Sequence, residues 1–437
     1  FVDEHALIST GKLISKGYIL YSDIFSHHFP LAYYWAAIVY ELVSNSLILV
    51  RFCLLLTQSL LFAYTIRFTH YELEIGLTAI LWGIFRSFYY GNMILYPSFV
   101  AAFVVCLVFF TFEHIKYPAE NTKVVIISSA LLAVMAIFTD PLMVYPIAVI
   151  CVVSLISDVK YGAKLGTLIA LGIGIVCFLL LITGSLDDFW DQAIVFNAKT
   201  YSRYTDSNPN RFIGWGKQSI TLLGIFDSEW ISNLNPRASI ESSPDIINRW
   251  LFTGFLNRYV ILTLTIIFLL RKEWLAAGFI YFFSSANLVK NESGFRAQPF
   301  VILGLAAFSM LIGLLPKIFK KNNVKSIIVT TNIVIIALMI AWVSLRFAKY
   351  NVVWCKKFMS NAMSTPDTTI ETIQNLQCQD ENVHIAAYPG YSYIYWISNL
   401  LPVKGYVYLW PWVADYDLQG VINEMSDPDY QSYAFID

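Results

Sequence analysis

Two neighbouring runs, PLAYYWAAIVYELV at 30–43 and SLILVRFCLLLTQSLLFAYTI at 46–66, decide how this chain folds. The second has the roughly 20 apolar residues that a bilayer-crossing helix requires, with Arg51 near its start. The first is only about fourteen residues long and carries Glu41, which suits a helix lying in the interface. If 30–43 lies on the surface and 46–66 runs from outside to inside, one set of loops faces the cytoplasm. That set holds Arg67, Lys116, Lys123, Lys160, Lys164, Arg271, Lys272, Lys317, Lys320, Lys321 and Lys325. The opposite short loops hold only Arg86, Lys290 and Arg296. Positive charge gathers on the cytoplasmic side of membrane proteins, so this orientation is the expected one. Counting 30–43 as a span would invert it.

Composition agrees. Hydrophobic residues make up 57% and charged residues 14%, with a mean hydropathy of +0.60. A water-facing surface needs about 25% charged residues, so lipid is the expected solvent. A net charge of −1 gives no reason to expect a nucleic-acid partner. Beyond 46–66, further spans are expected at about 75–91, 97–113, 124–139, 141–157, 164–184, 251–270, 273–289, 298–315 and 325–346. The fold class is an all-α polytopic membrane protein of about ten spans, occupying 1–346. From 350 to 437 a small extracytoplasmic α/β domain is expected, with strand-like alternation at Val383–Tyr388 and a helical pattern at 417–425. Neither Phe1 nor the strand-like end at Asp437 reads as a natural terminus, so a first span is expected ahead of Phe1. Cys53, Cys106, Cys151 and Cys177 lie in apolar runs as small hydrophobes. Cys355 and Cys378 could pair if the tail is outside.

Ionisable residues are nearly absent from the middles of these spans, where ion-coupled transporters need them. Polar residues gather instead at the outer boundary. The richest outer segment starts Phe1-Val2-Asp3-Glu4-His5. It continues through Gly17-Tyr18-Ile19-Leu20-Tyr21-Ser22-Asp23 to His27-His28-Phe29-Pro30-Leu31-Ala32-Tyr33-Tyr34. Asp3 and Glu4 could supply a general base at the membrane surface, or simply complement a helix dipole. The long outer loop from Asp187 through Asn197, Tyr201, Arg203 and Tyr204 suggests a surface helix roofing a site. Asp140, before Pro141, reads as a helix-turn residue.

The outer segment as a whole resembles the start of the GT-C glycosyltransferases, in the branch of protein O-mannosyltransferases and bacterial aminoarabinose transferases. Its members show an Asp-Glu pair, a surface helix, Gly-x-x-x-Tyr-x-Asp, a basic residue and a Pro-Leu-x-Tyr-Tyr helix along the membrane. Gly294-Phe295-Arg296-Ala297-Gln298-Pro299-Phe300 resembles the outer-loop Arg-x-x-Pro of the same branch. The resemblance implies Asp3 as catalytic base, with Glu4 as neighbour or substitute. It implies Arg296 and Lys290, with Arg51 and His28 behind them, as contacts for the donor phosphate. Here His28 stands where the family has a permanently charged Lys, and Asn92 where it often has a second Asp. The implied activity moves a sugar from a polyprenyl-phosphate donor to an acceptor hydroxyl of a lipid, glycan or protein. The site would face outward from a bacterial plasma membrane. No cofactor is required, and a divalent metal at Asp187, Asp188 and Asp191 stays open, with no ligand spacing to single it out. Two other classes compete: an O-antigen ligase or polymerase type of enzyme, and a non-enzymatic lipid or glycan transporter.

Overall fold

The structure, a computed structural model, describes residues 2–43, 46–89, 91, 93–118, 122–204, 219, 256–288, 294–319, 330–338, 340–341, 383–388, 392–398, 400–427 and 431–436. Lys290, Asn92, Cys355 and Cys378 lie outside them.

Helix α1 (Val2–Ser15) and helix α2 (Leu31–Val43) pack on each other at one end of a helical bundle. The bundle is built from α3 (Leu47–Arg67), α4 (Glu72–Phe85), α5 (Tyr96–Lys116), α6 (Thr122–Thr139), α7 (Val144–Ser157) and α8 (Val159–Ile182). After α9 (Leu186–Phe189) and the turns that prolong it come α10 (Asn257–Leu270), α11 (Trp274–Asn287) and α12 (Gln298–Phe319). Among the described residues, five helices are long and apolar enough to cross a membrane: α3, α5, α6, α8 and the 298–315 part of α12. Their burial sorts them. The apolar window of α5 is 94% buried, against 22% for α3 and 17% for α8. Helix α5 is therefore the centre of the bundle, while α3 and α8 turn apolar stripes outward. Phe52, Leu56 and Leu60 form one stripe, and Leu171, Ile175 and Phe178 another. Exposed apolar surface of that extent, spaced for one helix face, calls for a lipid environment.

The expected spans at 75–91, 141–157, 251–270 and 273–289 are shorter helices in the described residues, and the one at 325–346 lies partly outside them. Helix α4 gives way at Arg86 to a 3₁₀ turn, Arg86–Tyr89. A second tight turn, Pro141–Met143, precedes α7. Asp140 caps it by accepting a hydrogen bond from the Leu142 amide at 3.1 Å. Asp140 is thus a turn residue.

Close approach of α1 and α2 depends on Gly11. A Cβ there would stand 2.6 Å from Cβ of Ala36, so no larger residue fits. Helix α2 buries Ala32, Tyr33 and Ala36 and leaves Ile38 and Leu42 exposed.

The C-terminal segment forms a three-stranded parallel sheet in the order β2-β1-β3. Strand β1 (Val383–Tyr388) leads through α13 (Tyr393–Ile397) to β2 (Leu401–Pro402). Helix α14 (Pro411–Met425) then precedes β3 (Gln431–Ile436). Parallel neighbours need crossover connections, and helices supply them here. This module shares a hydrophobic core with the chain's first segment: Ala6, Leu13, Ile24 and Phe25 pack with Ile385, Val403, Val407 and Val413.

A polar latch lies inside that interface. The Lys12 side chain, 2% exposed, donates to the carbonyls of Tyr395 (3.1 Å), Trp396 (2.7 Å) and Ser398 at the end of α13. A cation belongs at a helix C-terminus, where carbonyls lack partners within the helix. Lys12→Met is expected to strand three carbonyls and weaken docking by about 3 kcal/mol. Limited proteolysis should then cut the C-terminal module out of folded protein much faster than in the wild type. Unchanged protection would show that the apolar contacts suffice.

Candidate functional site

The site is built by the turn that follows α1. Gly17, at φ 98°, stops the helix, and the chain doubles back. Asp23 fastens the return by accepting the Ile19 amide at 2.7 Å. Tyr21 holds the uncommon φ of 75° and is 1% exposed. Its hydroxyl donates to the His28 carbonyl at 2.8 Å. Residues of the Gly-x-x-x-Tyr-x-Asp pattern thus make a fixed turn, and the turn delivers His27 and His28 to the bundle.

Asp3 sits in the first turn of α1, part-buried. Burial raises its pKa above the ordinary carboxylate value, and the charge of Arg296 pulls it partly back. Arg296 therefore reaches Asp3 electrostatically across nearly 300 residues of chain. Arg296 leads into α12 through a 3₁₀ turn, Gly294–Ala297, and its Nη2 donates to the Tyr201 hydroxyl at 3.3 Å.

Three further hydroxyls lie within the field of Asp3: those of Tyr33, Tyr96 and Tyr408. Burial pushes Tyr33 up to about 12 and Tyr408 well above its usual value, so both stay protonated donors. Ser26 Oγ donates to the Tyr33 hydroxyl at 2.8 Å. His27 and Tyr408 share a hydrogen bond of 2.6 Å. Burial, with Arg296 adding to it, lowers the His27 pKa to about 3, so this imidazole is neutral. The His28 ring packs, tilted, between His27 (3.9 Å between centroids) and Tyr96 (4.2 Å).

The roof is helical, as the polar spacing at 187–204 suggests. Helix α9 runs on through wide π-helical turns, Trp190–Val195 and Asn197–Tyr201, to Ser202–Tyr204. Such turns recur at functional sites. Here they aim Gln192 and Asn197 at the return segment. Gln192 accepts from the Ser26 amide (3.0 Å) and donates to the Tyr21 carbonyl (2.7 Å). Asn197 donates to the His27 carbonyl at 2.5 Å.

Of the residues singled out in the sequence, Asp3, Arg296 and His28 come together in this cluster. Glu4 and Arg51 meet each other instead. Arg51 Nε donates to Glu4 at 2.8 Å and its Nη2 to the second carboxylate oxygen. The Ile94 amide also donates to Glu4, at 3.0 Å. Glu4 is fully buried. A carboxylate so engaged is a poor substitute base, and a guanidinium holding it is a poor phosphate contact. The two form an ion pair with each other. Lys290 lies outside the described residues.

His27 and Tyr408 carry no sequence signal of their own. Tyr408 reaches the site from 381 residues away through the docked C-terminal module. Among the described residues, no group of three or more His, Cys, Asp or Glu is placed to hold a metal ion. The arrangement offers a carboxylate with raised basicity, a fixed cation and several hydroxyl donors in one partly dry place. No protein-family model, curated protein or solved structure matches the chain.

Proposed function

We propose that this chain is a membrane glycosyltransferase of about ten spans that moves a sugar from a polyprenyl-phosphate donor to an acceptor hydroxyl at the outer membrane face. The observation that carries the reading is one part-buried cluster in which Arg296 bonds to the Tyr201 hydroxyl at 3.3 Å, Tyr201 packs on His27 at 4.7 Å, and the charge of Arg296 acts on Asp3. The polarity of the bundle supports the outward orientation. Arg67, Lys116, Lys160, Arg271 and Lys272 gather at the end opposite Asp3, as positive-inside topology requires.

In this reaction the Asp3 carboxylate takes the proton of the acceptor hydroxyl. The acceptor oxygen bonds to the anomeric carbon from the face opposite the phosphate. The bond from that carbon to the phosphate oxygen breaks, and its electron pair leaves with polyprenyl phosphate. A single displacement inverts the anomeric centre. Arg296 faces the charge that grows on the departing phosphate. Phosphate is already a good leaving group, so no strong general acid is called for.

The test is transfer from a radiolabelled polyprenyl-phosphate sugar by purified protein in liposomes containing a membrane extract as the acceptor source. Formation of a new glycosidic product, with release of polyprenyl phosphate, is expected. Movement of intact donor across the bilayer without bond formation would instead identify a transporter.

The pH dependence carries a second expectation. A base works only when deprotonated, so kcat/KM should fall as pH drops through the raised Asp3 pKa. That limb should lie above the range of an ordinary carboxylate. Arg296 lowers this pKa, so Arg296→Gln should move the acid limb to still higher pH. A limb that stays put in Arg296→Gln would disconnect the two residues.

A further inference from the structure

Beside the Asp3 cluster, the C-terminal module presents an aromatic surface that the chemistry above does not use. Trp410 and Trp412 stack nearly parallel, 12° apart with centroids at 5.2 Å. Tyr201 meets Trp412 edge-on at 5.4 Å, and Tyr204 lies 6.0 Å from it. Both indoles are only part-buried. Nε1 of Trp412 is shut away from water and has no hydrogen-bond partner among the described residues. An N–H left in that state costs free energy unless something pairs with it.

The surface is continuous with the site. Tyr201 touches Trp412 on one side, while its hydroxyl accepts from Arg296 and its ring packs against His27 at 4.7 Å. Polar groups border it: the Tyr204 hydroxyl donates to Asp415, which is exposed.

Indoles at a membrane protein's edge commonly anchor it in the headgroup layer. This pair sits differently. It belongs to a module whose neighbouring surface carries the exposed Asp415 and the Lys404–Asp417 ion pair, at 2.7 Å. Those charges belong in water. An aromatic face bordered by a hydroxyl and a carboxylate, those of Tyr204 and Asp415, matches the two surfaces of a sugar. The C–H faces stack on rings, and the equatorial hydroxyls bond to polar edges. A lipid tail would use only the rings and would press against the exposed Asp415 carboxylate.

We infer that Trp410, Trp412, Tyr201 and Tyr204 form the acceptor subsite, and that the acceptor is a glycan stacked on this surface with one hydroxyl directed toward Asp3. This names the substrate class for the transferase reading and rests on that reading for its purpose. The C-terminal module then has a reason to be latched onto α1: it carries half of the subsite.

The experiment uses the full chain in phosphatidylcholine nanodiscs, with maltohexaose, cellohexaose and chitohexaose as probes followed by saturation-transfer NMR. At least one should bind with a millimolar or tighter Kd. Binding should weaken at least tenfold in Trp410→Ala and in Trp412→Ala. The milder Trp412→Phe keeps a ring, guards against misfolding and should weaken binding by a smaller factor. Binding by none of the three probes, or binding unmoved by all three Trp variants, overturns the subsite. So does strong quenching of Trp410 and Trp412 fluorescence in nanodiscs of brominated phosphatidylcholine, since the indoles would then be lipid anchors. Failure of transfer with glycan binding intact would count against the transferase reading and leave the subsite standing.

Discussion

Asp3→Asn is expected to lower the rate of sugar transfer by about 10³-fold, within the 10²–10⁴ range that general base catalysis contributes. The amide keeps the shape of the carboxylate and loses the ability to take a proton. Stability should not fall with activity. Burial holds the Asp3 pKa above its ordinary value, so the folded protein disfavours the charged form relative to the unfolded chain. The sign follows: a carboxyl with a raised folded pKa weakens the fold as pH rises through that pKa. Replacing it with a neutral amide removes that penalty. The variant should therefore melt at or slightly above the wild-type temperature while its transfer collapses. Equal transfer rates, measured with the same labelled donor, would remove Asp3 from the chemistry.

This separation of activity from stability marks what could be read from sequence. The apolar runs announced their helices because lipid imposes length and composition on a span. Ser46–Ile66 falls almost residue for residue on α3. Strand β1 occupies the alternating stretch Val383–Tyr388. Asp3 was visible as half of an acidic pair, and Arg296 as the basic residue of an Arg-x-x-Pro stretch. Less legible was how neighbours divide their work. Asp3 and Glu4 are adjacent and chemically alike, yet a helix sends successive side chains about 100° apart. One faces the tyrosine cluster and the other faces Arg51. The direction of α1 against α3 decides this, and no local pattern encodes it. Tyr408 was illegible for a related reason. Its place depends on docking a module through Lys12 and an apolar interface. The shorter helices show the same limit at their ends. The span expected at 75–91 runs on past Arg86, but the backbone tightens at Arg86–Tyr89 into a 3₁₀ turn.

The largest stability effect is expected at Arg51 and Glu4. Arg51→Met should destabilise the protein by about 3–5 kcal/mol, the usual cost of stranding one member of a buried ion pair. The carboxylate left behind would be fully buried, keeping only the Ile94 amide at 3.0 Å among the bonds described for it. Glu4→Gln should cost less, because the neutral amide can still accept from Ile94. The double variant should recover much of the loss, since no unpaired charge remains. A positive coupling of about 2 kcal/mol or more in this cycle is the expected signature of a direct pair. The consequence for function is indirect but definite. Glu4 ties α1 to α3 and to the entry of α5, and Asp3 is its neighbour on α1. Loosening that tie frees the base from its position, so Arg51→Met should lower kcat together with the melting temperature. A phosphate ligand would behave otherwise: its loss would raise KM for the donor with the melting temperature unchanged. That outcome would return Arg51 to the donor site, and Glu4 would then hold it in place for that task.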